Sequence, residues 1–450
     1  MLGVYYISIN PNFVQQQRRK LPAKKVKRKF PYRYRVLILL FFLTLVTYLD
    51  RICISLVGVR IKSEFNLTNE QFGWVLASFA LAYALFEIPS GILGDRIGQR
   101  AVLIRIVLWW SLFTVLTGLT TGFISLLIVR FLFGVGESGA FPTSGAVVAR
   151  WFPVNETSRG VSWFAIGSNV GAAIAPLIVL PIAAAYGWRT SFYANGIIGL
   201  IWVVVCIYWF RNHPSEMKRI PEDEKIYIEK NRRINTHAKH FHWAKVLKNR
   251  SVWGLLISAY STQWALYFLI AWMPVYLQEG RHFSEGEMKI VSSWLFIIGA
   301  ISALIAGYVI DWLGKQKGLR TGRRISGVTA VGIMAVVFLI AAITSNNTVV
   351  VICFFIGNFF SWHNTVCSVS VCVNIGGERA GTLYGLMNFV GQIGAFSLAV
   401  IFGKIVDATH NFNTPLYLTS AILIMGCLSW LLIQADKPLS FENKTSYNYT

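Results

Sequence analysis

Residues 130–142, RFLFGVGESGAFP, place a cation, Arg130, and an acid, Glu137, inside a long apolar segment. Seven residues make about two helical turns, so both side chains project to roughly the same side, ~10 Å apart along the axis. A charge at membrane depth costs at least ~2.5 kcal/mol, so such residues usually face a partner or a watery cavity. Gly134, Gly136, Ser138, Gly139 and Ala140 let another backbone, or a substrate, come close. The stretch reads as one wall of a polar pathway. Its glycines also spell G-x-G-x-x-G, the dinucleotide fingerprint. No strand precedes them and apolar helix continues on both sides, so that match carries no nucleotide-binding meaning.

The surrounding chain has the composition of a membrane protein. Of its 450 residues 55% are hydrophobic and 14% charged, against about 25% charged in soluble domains. Twelve apolar stretches follow one another: 36–57, 72–94, 101–119, 122–149, 160–185, 189–210, 252–278, 286–310, 325–344, 348–371, 380–404 and 415–434. Each is long enough to cross a core ~30 Å thick as a helix. The basic N-terminus precedes a full-length span, not a short cleavable one, and so is not a secretory signal.

A net charge of +22 raises nucleic acid as a partner until the charges are located. With the N-terminus inside, 33 of the 42 Lys and Arg fall in inside segments and 5 in outside loops or at the outer span ends beside them (Arg189 and Lys289), leaving Arg51, Arg105, Arg130 and Lys404 as the others within spans. This positive-inside bias puts both termini in the cytoplasm, and the run from Arg18 to Lys29 meets anionic lipid, not nucleic acid. Five of the six cysteines lie in predicted spans and Cys372 lies one residue past the end of one, so no extracytoplasmic disulfide framework is implied.

Other polar groups punctuate the spans. The first ends in Tyr48-Leu49-Asp50-Arg51; helical neighbours diverge by about 100°, so Asp50 and Arg51 need not pair with each other. In the second, Tyr83 and Glu87 share a face at i, i+4, and Glu87 either joins the pathway or bonds a neighbouring helix near Arg105. The second half carries uncharged hydrogen-bonding groups, among them Gln263, Tyr267, His363, Asn364, Asn388 and Gln392. Asn388 and Gln392 are again i, i+4. Such groups suit recognition of hydroxyls and serve equally as glue between helices.

The short link after span two, Gly91 to Arg100 with Asp95, Arg96 and Gly98, reads as a tight cytoplasmic hairpin whose charges latch helix ends. Its G-x-x-x-D-x-x-G recurs 216 residues later as Gly307, Asp311 and Gly314, while Arg159 with Val170-Gly171 matches Arg379 with Val390-Gly391 at a displacement of 220. Two ordered matches indicate a duplicated six-helix unit. The expected organisation is therefore a basic tail (1–35), a six-helix bundle (36–210), a cytoplasmic linker (211–251), a second bundle (252–434) and a short tail (435–450). His237, His240 and His242 in the linker have no acid or Cys to complete a metal site.

Twelve spans in a six-plus-six repeat with a basic central loop resemble the major facilitator superfamily: an all-α membrane protein of two pseudo-symmetric six-helix bundles. Within it YLDR (Tyr48–Arg51), YALFEIPSG (Tyr83–Gly91), RFLFGVGESGAFPT (Arg130–Thr143), RWFP (Arg150–Pro153) and MNFVGQIG (Met387–Gly394) are similar to the anion:cation symporter family. That family includes bacterial proton-coupled galactonate, glucarate and hexuronate transporters and, more distantly, sialin and the vesicular glutamate transporters. The resemblance implies proton coupling at Asp50 and Glu137, paired basic residues at Arg51 and Arg130 with Arg130 tied to substrate and to the acid, and a sugar-acid site lined by Tyr48, Tyr83 and Asn388. Glu87 and Ser168 stand where the galactonate transporters carry Gln, which puts galactonate itself in doubt.

An Arg fork binds a carboxylate through two parallel bonds, and an acid beside it at membrane depth can be poised to take a proton. The expected activity is import of an organic anion, a sugar acid, by proton symport with alternating access, in a bacterial inner membrane, as a monomer and without cofactor or metal. Protonation of Glu137 is expected to release Arg130 for the anion. A uniporter, a carrier of aromatic or aliphatic carboxylates, and sodium as the coupling ion stay open as alternatives. A transporter-fold sensor has no added signalling domain to support it. A polytopic enzyme lacks a P-loop, H-E-x-x-H, G-x-S-x-G or Cys/His metal spacing.

Overall fold

The computed structural model describes residues 30–153, 156–231, 246–376, 380–437 and 439, all helix and connecting turn. The Arg18–Lys29 run, Arg379, His237, His240 and His242 lie outside the described residues, as do the side chains of Asp95 and Arg159. The helices are α1 (Tyr32–Leu56), α2 (Gly58–Phe65), α3 (Asn69–Ile97), α4 (Gln99–Thr117), α5 (Phe123–Glu137), α6 (Ala140–Trp151), α7 (Thr157–Tyr186) and α8 (Trp188–Trp209). After α9 (Glu222–Asn231) in the linker come α10 (Arg250–Tyr267), α11 (Glu285–Lys317), α12 (Leu319–Ile343), α13 (Asn347–Gly376), α14 (Ala380–Thr409) and α15 (Thr414–Ser429).

Eleven of the helical stretches searched are long and apolar enough to span a membrane, counting α5 with α6, and α10 with its extension to Gly280. The twelfth is α3, which covers the second apolar stretch; its 29 residues rise ~43 Å. The extension of α10 passes through two π-helical segments, Phe268–Trp272 and Tyr276–Gly280.

The polar pathway helix is not continuous. It stops at Glu137 and restarts at Ala140, with Ser138–Gly139 as a break. Pro142 has no N–H to give the Ser138 carbonyl, so the ladder is cut where the small residues cluster. Gly134 faces the Phe79 backbone of α3, and Gly139 faces Ser90 on the same helix, so the expected close approach is made by α3.

Before the linker α1 packs on α7, α3 on α5 and α4 on α8; after it α10 packs on α14, α11 on α13, and α12 on both α13 and α15. The two sets of helices meet along α3–α14 and α7–α11. Gly98 and Gly318 adopt the same left-handed turn, φ +90° and +79°, between α3 and α4 and between α11 and α12. Only glycine takes that φ without strain. Here the expected hairpin is corrected. Gly91, Asp95 and Arg96 lie in the last turns of α3, and Gly307, Asp311 and Gly314 lie inside α11; only Gly98 and Gly318 turn the chain. Helix α11 has 33 residues against 29 in α3, so the repeat is displaced by 216 residues where these helices begin and by 220 where they end. One added helical turn explains both displacements.

The start of α1 and the end of α15 lie at one end of the bundle, the terminal end. There α9 is docked on the first half: Glu224 accepts the backbone N–H groups of Tyr32 (3.0 Å) and Arg33 (3.1 Å), and Arg33 also pairs with Glu156 (2.9 Å). Arg100 of α4 donates its backbone N–H to Asn212 (2.8 Å) and its side chain to the Ile207 carbonyl (2.7 Å). Arg323 pairs with Asp311 (3.2 Å) at the equivalent place in the second half.

Polar contacts across the halves gather at the far end. Lys62 pairs with Glu279 (2.5 Å), Arg60 with Glu285 (2.7 Å) and Lys404 with Glu70 (3.4 Å). Asp407 of α14 accepts the backbone N–H groups of Asn69 (3.1 Å) and Glu70 (2.7 Å), capping the N-terminus of α3 from the other half. The bonds from Trp188 and Arg189 to Glu64 hold that carboxyl below its ordinary range and tie α2 to α8. A charged cap on a helix N-terminus is worth about 1–2 kcal/mol. Asp407→Asn is therefore expected to favour opening of the far end by about tenfold. Labelling of an introduced Ile270→Cys by an impermeant thiol reagent from that side measures this; an unchanged rate counts against the cap as a latch.

Candidate functional site

The site forms where α1, α3 and α5 bring their charges together against α10. Arg51 follows Asp50 by one residue and so points a third of a turn away from it. It donates to Glu137 Oε1 through Nε at 2.8 Å and through Nη2. Glu137 is fully buried, and its Oε2 has no partner among the described residues. Aromatic rings surround the Arg51 guanidinium, with Tyr48, Phe79 and Tyr83 centred 4.9, 5.0 and 5.1 Å away. Ring faces stabilise a cation shielded from water.

Arg130 is placed differently. It is 2% exposed, lies over the Phe133 ring at 4.2 Å and 5.5 Å from Phe79, and makes no hydrogen bond to a described residue. The acid expected to engage it, Glu137, bonds Arg51 instead. That corrects the expected pairing. Its physical reason is helical geometry: Glu137 ends α5 two turns beyond Arg130, level with Arg51 of α1. Asp50, 1% exposed, has neither carboxyl oxygen bonded among the described residues. Arg130 and Glu137 are its charged neighbours.

Both guanidinium groups line one cavity, together with Ser55, Leu76, Phe79, Tyr267 and Ile270. Tyr267 closes it on the far side by donating its hydroxyl to the Leu76 carbonyl across the halves (2.9 Å). Toward the terminal end, Asn388 Nδ2 donates to both oxygens of Glu87, at 2.9 and 2.7 Å. Glu87 thus bonds the opposite half, not a helix near Arg105. Gln392, one turn on from Asn388, is half-buried and makes no hydrogen bond to a described residue. Ser168 is buried on α7, beside the contact of Gly167 with Phe41 of α1.

Two expected pathway residues lie inside the second half instead. His363 Nε2 bonds Ser326 Oγ (2.8 Å), joining α13 to α12. Asn364 donates to Thr262 (2.8 Å) and Ser258 (3.3 Å), joining α13 to α10. Both are helix glue. Phe79 was missed by the sequence reading, although it precedes Tyr83 and Glu87 on their face of α3 at steps of four. An aromatic in an apolar run carries no signal by itself.

The Major Facilitator Superfamily profile matches residues 40–399. The chain is 29% identical to a probable sulfoacetate transporter of Cupriavidus necator, over 91% of this chain and 95% of that protein. It is 28% identical to a hexuronate transporter of Bacillus subtilis (92% and 98% covered) and 26% identical to a D-galactonate transporter of Escherichia coli (90% and 96%). Among solved structures it is similar to an inward-facing bacterial homolog of the human lysosomal transporter Spinster, with TM-score 0.73, 17% identity, and 91% and 99% of the two chains covered. It is equally similar to a D-xylose–proton symporter, with TM-score 0.73, 15% identity and 90% and 98% covered. Identities this low speak for the fold alone. Since the profile runs from α1 into α14, the chain belongs to the Major Facilitator Superfamily and is a multi-pass membrane transporter, not an enzyme.

Proposed function

We propose that the protein carries an organic anion, a sugar acid, together with a proton, by alternating access around the Arg51–Arg130 cavity. The observation that carries this reading is the arrangement of the two cations. Arg51 is neutralised by Glu137, whereas Arg130 lies beside it with no hydrogen-bond partner among the described residues. A guanidinium in that position is a ready receptor for a carboxylate, through two parallel bonds. A proton on Glu137 breaks the ion pair and frees Arg51 as a second donor, so proton and anion are bound together. Asp50, buried and unbonded, is the second proton carrier. Tyr48, Tyr83, Asn388 and Gln392 face substrate hydroxyls, and the terminal end opens to the cytoplasm, in line with the basic residues concentrated there.

Relatives named for hexuronate, D-galactonate and galactarate/D-glucarate support a sugar acid. A second reading, a small aliphatic acid, draws on the apolar wall of Leu76, Ile270 and Ala271 beside Arg130 and on the relative named for sulfoacetate. The deciding experiment is uptake of labelled hexonates, hexarates, hexuronates and sulfoacetate into liposomes under an imposed pH or sodium gradient. Glu137→Gln is expected to lose gradient-driven uptake at least about a hundredfold and to keep counterflow exchange, which moves no net proton. Equal uptake by wild type with and without a gradient, matched by the mutant, makes the protein a facilitator and Glu137 a structural partner of Arg51.

A further inference from the structure

Glu87 lies outside the cavity lined by the two cations, toward the terminal end and against Asn388 of the other half. It sits one helical turn, ~6 Å, beyond Tyr83, whose ring lies against Arg51. Both carboxyl oxygens accept from one amide, Asn388 Nδ2, across the two halves. An amide N–H shared by both oxygens stabilises the ionised form. Glu87 is half-buried, not sealed, so it keeps lone pairs for a ligand. No Lys or Arg bonds it among the described residues. Along the pathway the ionisable groups run from Arg130 through the Arg51–Glu137 pair to Glu87.

We propose that Glu87 is a charge filter that sets the substrate class to monocarboxylates whose opposite end carries hydroxyl or ammonium donors, and that it excludes dianions. This rests on the organic-anion reading above and deepens it. The carboxylate of the substrate meets Arg130, and the other end of the molecule comes to Glu87. A hydroxyl there donates to the Glu87 oxygens. A second carboxylate or a sulfonate there meets a like charge in a partly desolvated site. Hexonates and hexuronates pass this filter; hexarates and sulfoacetate do not.

The test is binding and counterflow exchange with matched pairs that differ only in the terminal group: gluconate against glucarate, and galactonate against galactarate. Purified wild-type protein is compared with Glu87→Gln and Glu87→Asp. Wild type is expected to favour the monocarboxylate of a pair by at least about tenfold. Glu87→Gln is expected to erase that preference by gaining the dicarboxylate, while Glu87→Asp keeps it. A general loss of packing would weaken both members of a pair alike and leave their ratio unchanged. Equal or tighter dicarboxylate binding by wild type overturns the filter and leaves the organic-anion reading standing. An unchanged ratio in Glu87→Gln also overturns it. If folded, monodisperse wild type responds to none of the four acids, the sugar-acid reading fails, and the filter fails with it.

Discussion

Arg130→Gln is expected to weaken anion binding at least about a hundredfold while leaving the protein no less stable. The two halves of that expectation come from one feature. Each hydrogen bond between a guanidinium and a carboxylate is worth about 1.5–3 kcal/mol, and every 1.4 kcal/mol is roughly tenfold. Losing a bidentate pair therefore costs about two to four decades of affinity. The same guanidinium is 2% exposed and has no hydrogen-bond partner among the described residues. Burying an ion that way costs several kcal/mol, which the neighbouring Asp50 and Glu137 offset only in part, so removing it is not expected to lower stability. Gln keeps much of the side-chain volume and limits the void. Arg130→Lys keeps the charge without the fork and is expected to fall between wild type and Gln. Binding by calorimetry and thermal unfolding in detergent measure the two arms. Wild-type affinity in Arg130→Gln removes Arg130 from the site; a fall in stability of several kcal/mol makes it a structural residue.

Gly73→Leu is expected to stop transport by keeping the far end from sealing. A Cβ built at Gly73 runs into the Ala399 carbonyl of α14, with the Trp272 ring close behind. The obstruction is backbone, so no rotamer change relieves it and α3 and α14 must separate. That contact lies beside the Asp407 cap on Asn69 and Glu70, so separation also pulls the cap apart. Overpacking of this kind costs about 1–3 kcal/mol or more, enough to shift a two-state equilibrium by about ten- to a hundredfold. The expected signature is net uptake lost and far-side labelling of Ile270→Cys raised, with far-UV circular dichroism unchanged. Normal uptake by Gly73→Leu would show that the halves can close elsewhere.

The fold was legible because its determinants are local and periodic. Twelve apolar runs, the basic connecting segments and two offset motif pairs needed no contact between distant residues to be seen. The site was legible one residue at a time, since an ionisable group in a span is costly wherever it ends up. Its pairing was not. That Glu137 bonds Arg51 and not Arg130 depends on how α1 and α5, 86 residues apart in these positions, are rotated and set in height, which neither segment encodes alone. His363 and Asn364 show the same limit. A polar residue in a helix has the same sequence signal whether it faces the pathway or a neighbour, and only the packing of α13 on α10 and α12 tells them apart. The Gly91–Gly98 and Gly307–Gly314 stretches looked like loops because glycines often end helices, yet in each half one positive-φ glycine makes the turn.

The additional helical turn of α11 makes the two halves unequal partners. Four residues lengthen that helix by ~6 Å relative to α3, so the seal at one end of the bundle cannot be the mirror image of the seal at the other. The carrier is therefore expected to rest in one preferred orientation, with half-saturation constants that differ between its two faces. Detailed balance allows this. At equal concentrations and without a driving gradient the ratio of maximal velocity to half-saturation constant must still be the same in both directions, so a face that binds more tightly must also turn over more slowly. Influx and efflux measured separately will look like two different carriers obeying one equilibrium constant.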